Sequence, residues 1–323
     1  MAGESESGPG PIGAVAVVGA GTMGRQIAAL VAASGRTVRL FDALPAVLDA
    51  AGGRIKDELV MLPHLPQYAH HAFRIEPPAD HQALLERIGI TDALGTAVEG
   101  ADLVIEAVRE DLATKQTLFA ELDRLAPQAI LSTNSSSIPS SLIAPVVGNP
   151  GRLLNTHFFA PVWSRPMVEL MGCGQTTPET MARVEAFARS LGIVAATVRG
   201  DSKGFIINRV WRAVKREALR VVDEGHAEPE DVDRLWMIFF GTPSGPFGIM
   251  DMVGLDVVAD IETSYQQVAT DPADRPSPVL HARVVEGQLG EKTGQGFYSH
   301  PNPEYVQPGW LVAGDGDTSE PET

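Results

Sequence analysis

Two groups of residues stand out for the chemistry their types and spacing allow. The first is Gly19-x-Gly21-x-x-Gly24, inside AVAVVGAGTMGRQIAALVAASGRTVRLFD at residues 14–42. Glycines so spaced, between an apolar run and a helical pattern, let a backbone turn tightly and approach a phosphate. The second is His157, followed by Glu169 in NTHFFAPVWSRPMVEL at residues 155–170. Histidine titrates near neutral pH, so it can take up a proton and return it. Taken alone, a histidine beside two phenylalanines reads more readily as a core side chain. Its surroundings must decide.

The elements around the glycines give them separate jobs. Ala14 to Val18 reads as a short buried strand, Ile27, Leu30 and Val31 recur at helical spacing, and TVRLF reads as a second strand ending at Asp42. Gly19 permits the turn, Gly21 lets the backbone close on a pyrophosphate, and Gly24 lets the helix pack on the strand, with Thr22 and Met23 between them. The first amides of the helix then face phosphate charge. Asp42 is placed to accept hydrogen bonds from ribose hydroxyls and to repel a 2′-phosphate. Ala43, Leu44 and Pro45 follow it, with no arginine, so the expected cofactor is NAD rather than NADP.

Strand and helix signals continue to alternate. ADLVIEAV (101–108), AILSTNSSS, RLLNTHFF and IVAATV read as strands. LATKQTLFAELDRLA, with Leu118, Phe119, Leu122, Leu125 and Ala126 on one face, and TPETMARVEAFARSLG read as helices. That alternation predicts a mostly parallel, doubly wound sheet with helices on both faces. Ligands bind beyond the carboxyl ends of such strands, and Ser136 and His157 both follow apolar runs in that way. From about residue 200 the pattern becomes helical. DSKGFIINRVWRAVKREALRVVDEG carries Ile207, Val210, Trp211, Val214, Ala218, Val221 and Val222 in one stripe, with Asp201 or Ser202 as the expected cap. The expected division is a disordered leader at 1–12, an α/β domain at 13–200, a smaller all-helical domain at 201–300 and a loose tail at 301–323.

Composition excludes several classes of function. The 323 residues are 44% hydrophobic and 20% charged, as in an ordinary globular protein. A formal charge of −16 disfavours nucleic acid or an anionic membrane as partner. Cys173 is the only cysteine, so no internal disulfide forms, and the expectation for it is burial. His64, His70, His71 and His81 lie in a proline-broken stretch with no metal-ligand pattern, and no metal is expected. With no apolar run of spanning length and no basic, apolar start, the expected location is the cytoplasm.

The motifs GAGTMG, EAVRED, TNSSS, HFFAPV…VEL, GFIINR, GPFGIMDMVGLD and KTGQGFY occur in an order and spacing that resemble the 3-hydroxyacyl-CoA dehydrogenase family, over residues 13–299. The resemblance implies a Rossmann-type domain, a helical substrate and dimerisation domain forming a homodimer, and NAD-linked oxidation of a small L-3-hydroxyacyl thioester. It implies that His157 is the catalytic base, that Glu169 pairs with it, that Ser136 contacts substrate near the nicotinamide, and that Asn208 lies near the reacting oxygen. It also implies cofactor-side contacts for Glu110, Lys115 and Lys292.

Two departures bear on the substrate. Family members carry asparagine after HFF, where this chain has Ala160, and Trp163 and Arg165 stand where aliphatic residues are usual. The segment that helps hold coenzyme A in the family spans 50–92 here. It carries Arg54, Lys56, Arg74 and Arg87 against Asp57, Glu58, Glu76, Asp80, Glu86 and Asp92, with Pro63, Pro66, Pro77 and Pro78 breaking the helical pattern. A net-negative segment suits a polyphosphorylated carrier poorly. A free or carrier-protein-bound 3-hydroxy acid is therefore the alternative substrate, as relatives acting on gulonate and carnitine suggest. A structural or sensor role that binds NAD without catalysis, as in the family's lens crystallin, is the remote alternative.

Overall fold

In the computed structural model, residues 10–61, 81–267 and 274–312 are described. They fall into two compact units, Met1–Ile207 and Asn208–Thr323. His64, His70, His71 and the four prolines of the excursion lie outside the described residues, as do most of the leader and the end of the tail.

The first unit is built on one eight-stranded sheet. Its strands are β1 (Ala14–Val18), β2 (Thr37–Phe41), β3 (Ile88–Thr91), β4 (Leu103–Glu106), β5 (Ile130–Thr133), β6 (Leu153–Phe158), β7 (Met167–Gly172) and β8 (Val194–Val198). They lie in the order β3-β2-β1-β4-β5-β6-β7-β8. Every neighbouring pair is parallel except β6 with β7. Its helices are α1 (Thr22–Ala33), α2 (Pro45–Met61), α3 (His81–Leu85), α4 (Leu94–Val98), α5 (Leu112–Leu125) and α6 (Pro178–Ser190). Alternate residues of the central strands feed separate cores. Val15, Val17, Leu103 and Ile105 pack with α1, while Ala16, Val18, Val104 and Leu131 pack with Phe119 and Leu122 of α5. Because both faces are covered, β4, β5 and β6 are buried at every position: each opens on apolar residues, and the polar ones toward its end, Glu106, Ser132, Thr133, Asn155, Thr156 and His157, are buried as well.

The doubly wound sheet matches the sequence reading, with shorter strands: ADLVIEAV yields only Leu103–Glu106. β3 and β7 are strands the sequence reading does not name. β3 is four residues with a glycine at the sheet edge, and β7 runs against the parallel grain, where crossover logic gives no cue.

The second unit holds α7 (Ile207–Asp223), α8 (Pro229–Phe240), α9 (Pro246–Val253), α10 (Leu255–Gln266) and α11 (Pro278–Val285). Its core gathers Ala218, Leu219, Met237, Phe247, Met250, Leu255, Val258, Leu280, Phe297 and Tyr298. Of the apolar stripe on α7, Ala218 is buried in that core, Trp211 and Val222 pack partly buried against it, and Val210 is 56% exposed. The expected start of the helix needs correction. Neither Asp201 nor Ser202 caps it: the helix starts at Ile207, and the Ser202 hydroxyl donates to the Phe205 carbonyl instead. Residues up to Phe205 belong to the first unit because Phe205 packs on Met171 and Val198 at the end of the sheet. Among the described residues no helix is long and apolar enough to cross a membrane.

Candidate active site

The glycine loop follows β1 directly. Gly19 has φ 110°, and a β-carbon there would sit 2.6 Å from the Ala107 carbonyl oxygen, so only glycine fits. A β-carbon on Gly24 would lie 1.7 Å from the Gly19 carbonyl oxygen, which is the close helix–strand approach that the spacing predicts. At Gly21, the residue before α1, a β-carbon would meet nothing within 4 Å. The space over Gly21 is therefore open, as a pyrophosphate cradle needs. Asp42, just past β2, accepts the Ala20 amide at 2.8 Å and the Leu44 amide at 3.0 Å. Those bonds aim the carboxylate while leaving lone pairs for a ribose.

His157 and Glu169 face each other across the one antiparallel pair. The register puts His157 directly opposite Glu169, so both side chains emerge on one face. Glu169 Oε2 lies 2.9 Å from His157 Nδ1, and both residues are at least 95% buried. Glu169 Oε1 is also engaged, accepting the amides of Ile206 at 3.0 Å and Ile207 at 2.8 Å. The imidazole is wedged by Phe159 at 4.2 Å and Phe205 at 4.9 Å between ring centroids. Phe205 holds φ 54°, a left-handed conformation that a bulky residue adopts at some cost, and this places its ring against the histidine. With Nδ1 committed to the carboxylate, Nε2 is the nitrogen left for a ligand.

A second buried network supports the neighbouring loop. Glu106, the last residue of β4, is fully buried and accepts Lys115 Nζ at 2.6 Å, the Val108 amide at 2.7 Å and the Thr133 hydroxyl at 2.6 Å. Lys115 also lies 3.4 Å from Glu110 Oε2. Glu110 Oε1 gathers the Ser135 hydroxyl, the amides of Ser136 and Ser137, and the Ser137 hydroxyl at 2.5 to 3.1 Å. Burial alone would raise the Glu110 carboxyl. The Ser135 hydroxyl, the Lys115 charge and both Ser137 donors outweigh it and hold the group below the ordinary carboxylate range.

The serines of TNSSS thus divide their tasks. Ser135 accepts the Ile138 amide at 2.7 Å and shapes the loop, whereas Ser136 is exposed and its hydroxyl has no hydrogen-bond partner among the described residues. Asn134 ties the ends of β5 and β6 together by accepting the Phe158 amide at 2.9 Å. Glu106, Asn134 and Ser135 were legible as candidates by one signal: a charged or polar residue inside or just past an apolar strand must find partners.

One cleft of about 320 Å³ is walled by Met23, Glu110, Lys115, Asn134, Ser136, His157, Phe159 and Ala160. A second cleft of about 610 Å³ is lined by Gly19, Asp42, Leu94, Arg109, Thr114 and Leu118. Val108 borders both. Two adjoining clefts at the glycine loop suit the two halves of a dinucleotide. Where asparagine was expected, the wall presents only the Ala160 methyl. Asn208 and Lys292 belong to the second unit. Asn208 is the half-buried second residue of α7, and Lys292 is paired with Asp256 within the second unit.

Comparison with known proteins agrees with this geometry. Residues 14–202 match the model of the 3-hydroxyacyl-CoA dehydrogenase NAD-binding domain, and residues 204–300 match that of the C-terminal domain. The chain belongs to the 3-hydroxyacyl-CoA dehydrogenase family. A probable 3-hydroxybutyryl-CoA dehydrogenase of Bacillus subtilis is 36% identical, covering 88% of this chain and 96% of its own. The structure of (S)-3-hydroxybutyryl-CoA dehydrogenase from Ralstonia eutropha superposes with a TM-score of 0.79 at 32% identity, covering 90% and 99%. A diketoreductase acting on dicarbonyl compounds superposes with a TM-score of 0.78 at 32% identity, covering 90% and 100%. As a member of this family the protein is an NAD-dependent oxidoreductase of the 3-hydroxyacyl-CoA dehydrogenase type.

Proposed function

We propose that the protein interconverts a short-chain L-3-hydroxyacyl-CoA and its 3-ketoacyl-CoA, with His157 carrying the hydroxyl proton on Nε2. The observation that carries this reading is the buried His157–Glu169 pair, whose His157 lines the cleft beside the glycine loop. Glu169 holds the Nδ1 proton in place, so neutral His157 offers an Nε2 lone pair to the substrate hydroxyl and stabilises as imidazolium when that proton arrives. Bound NAD supplies the acceptor for the hydride leaving the same carbon. The exposed Ser136, on the same cleft wall, would donate its hydroxyl to the substrate oxygen as it becomes a carbonyl. Asn208 is assigned the same task from the resemblance alone. Gly19, Gly21, Thr22, Met23, Gly24 and Asp42 would hold the adenosine and pyrophosphate. Glu110 and Lys115 would border the nicotinamide half, with Lys292 as the remaining cofactor-side cation.

The reading includes a homodimer formed through the helical unit. Leu235, Ile238, Phe239 and Phe240 of α8 are 56 to 81% exposed, an apolar face that a monomer would leave in water. The similarity to the diketoreductase and the acidic excursion favour a second reading, a free or carrier-bound 3-hydroxy acid as substrate. Absorbance of NADH at fixed NAD, with 3-hydroxyacyl-CoAs of several lengths beside the free acids and carrier-protein thioesters, separates the two. Turnover of the CoA esters alone supports the first reading; turnover of only the other forms overturns it.

A further inference from the structure

One short turn at the end of the first unit touches both members of the His157–Glu169 pair. It runs from Ser202 to the start of α7 and holds two successive left-handed residues, Gly204 with φ 81° and Phe205 with φ 54°. Glycine adopts that conformation freely, whereas phenylalanine keeps it only where its surroundings over-determine it. Ser202 supplies the restraint from both sides of the residue. Its carbonyl accepts the Phe205 amide at 2.9 Å, and its hydroxyl donates to the Phe205 carbonyl at 2.9 Å. The Phe205 ring is 2% exposed and packs on Met171 and Val198, which face each other across β7 and β8.

From this fixed backbone the next two amides, those of Ile206 and Ile207, reach Glu169 Oε1 at 3.0 and 2.8 Å. The ring meanwhile lies 4.9 Å from the His157 ring between centroids, with the planes at 35°. The outer torsion of a histidine side chain is broad by itself, so neighbours must set it. A shift of Phe205 to negative φ would swing its ring and the Ile206 amide together away from the pair. We infer that Phe205 is a positioning residue for His157 and Glu169. Its left-handed backbone aims the two amides that hold the carboxylate, and its ring limits rotation of the imidazole, so Nδ1 stays on Glu169 and Nε2 stays free. Ser202 acts one step further back, by holding Phe205. The placement belongs to the free protein; its effect on turnover rests on His157 being the base of the proposed reaction.

Nitrogen NMR of the imidazoles tests the placement without turnover. The His157 resonances, assigned by their loss in His157→Gln, are expected to show the Nδ1–H tautomer in the wild type. Phe205→Leu removes the ring, and Ser202→Ala removes the hydroxyl that pins Phe205 without touching the pair. Each is expected to bring in the Nε2–H form. With 3-hydroxybutyryl-CoA, each is expected to lower kcat roughly tenfold to a hundredfold, with KM and the Kd for NAD held within about twofold. A role in folding alone would lower the Tm and leave tautomer and kcat where they were. An unchanged Nδ1–H signal in both variants, or a loss of NAD affinity as large as the loss in kcat, overturns the proposal. Normal turnover by His157→Gln would instead overturn the catalytic reading, and the tautomer signal would still decide the role of Phe205.

Discussion

Glu169→Gln tests the proton-transfer reading most sharply, because the structure dictates which way the new amide must face. The Oε1 position receives two backbone donors, from Ile206 and Ile207, while Oε2 faces His157 Nδ1. A glutamine must keep its oxygen toward the two amides, which leaves its NH₂ pointing at Nδ1. Nδ1 then has to accept, and the ring proton moves to Nε2, where it blocks the lone pair that the substrate hydroxyl needs. Turning the amide over would orphan two buried donors, at about 1–3 kcal/mol each. The competent tautomer is therefore disfavoured by about 2–6 kcal/mol. That is a factor of roughly 30 or more, up to the ~10²–10⁴ that general-base catalysis contributes. Turnover of 3-hydroxybutyryl-CoA is expected to slow by about two to four orders of magnitude, with the Kd for NAD and the Tm little changed. Both amide donors stay satisfied, so folding gives no other cause for the loss. Turnover within about threefold of the wild type would refute the tautomer argument.

Three further outcomes are expected. Gly21→Ala should leave the Tm of the free protein unchanged, since a β-carbon there meets nothing, yet raise the Kd for NAD in a fluorescence titration; unchanged affinity would remove the pyrophosphate cradle. Asp233 is wholly buried, and burial with the nearby Asp251 charge pushes its carboxyl up to about 6 despite the Phe247 and Gly248 amides and the Tyr298 hydroxyl. The unfolded chain then ionises first as pH rises, so up to about 3 kcal/mol of stability present below pH ~4 is lost by the time pH passes about 6. Thermal unfolding from pH 4.5 to 8 should show this component in the wild type and not in Asp233→Asn, and parallel curves would contradict it. Phe239→Glu, at an 81% exposed position, should convert a sedimenting dimer to a monomer; a wild type already monomeric at micromolar concentration argues against the dimer.

The proposed cofactor half of the site is legible in the sequence because that half is local. Gly19, Gly21, Gly24 and Asp42 act through backbone and turn geometry written within a short stretch, and the structure shows the open space and close approaches that their spacing demands. Pattern also determined the layered sheet and the helical second unit. What pattern misjudged was the start of α7: the first unit keeps the chain through Phe205 by packing that ring against Met171 and Val198. The resemblance paired His157 with Glu169, but residue pattern alone could not, since the pair depends on β7 running antiparallel to β6, a pairing that no periodicity announces. The tertiary structure gave Ser135 to the loop and left Ser136 to the cleft, three identical side chains being indistinguishable until Glu110 collects their donors. Short-range sterics are encoded residue by residue, whereas a partner across strands is fixed only when the cores on both faces of the sheet have set its register.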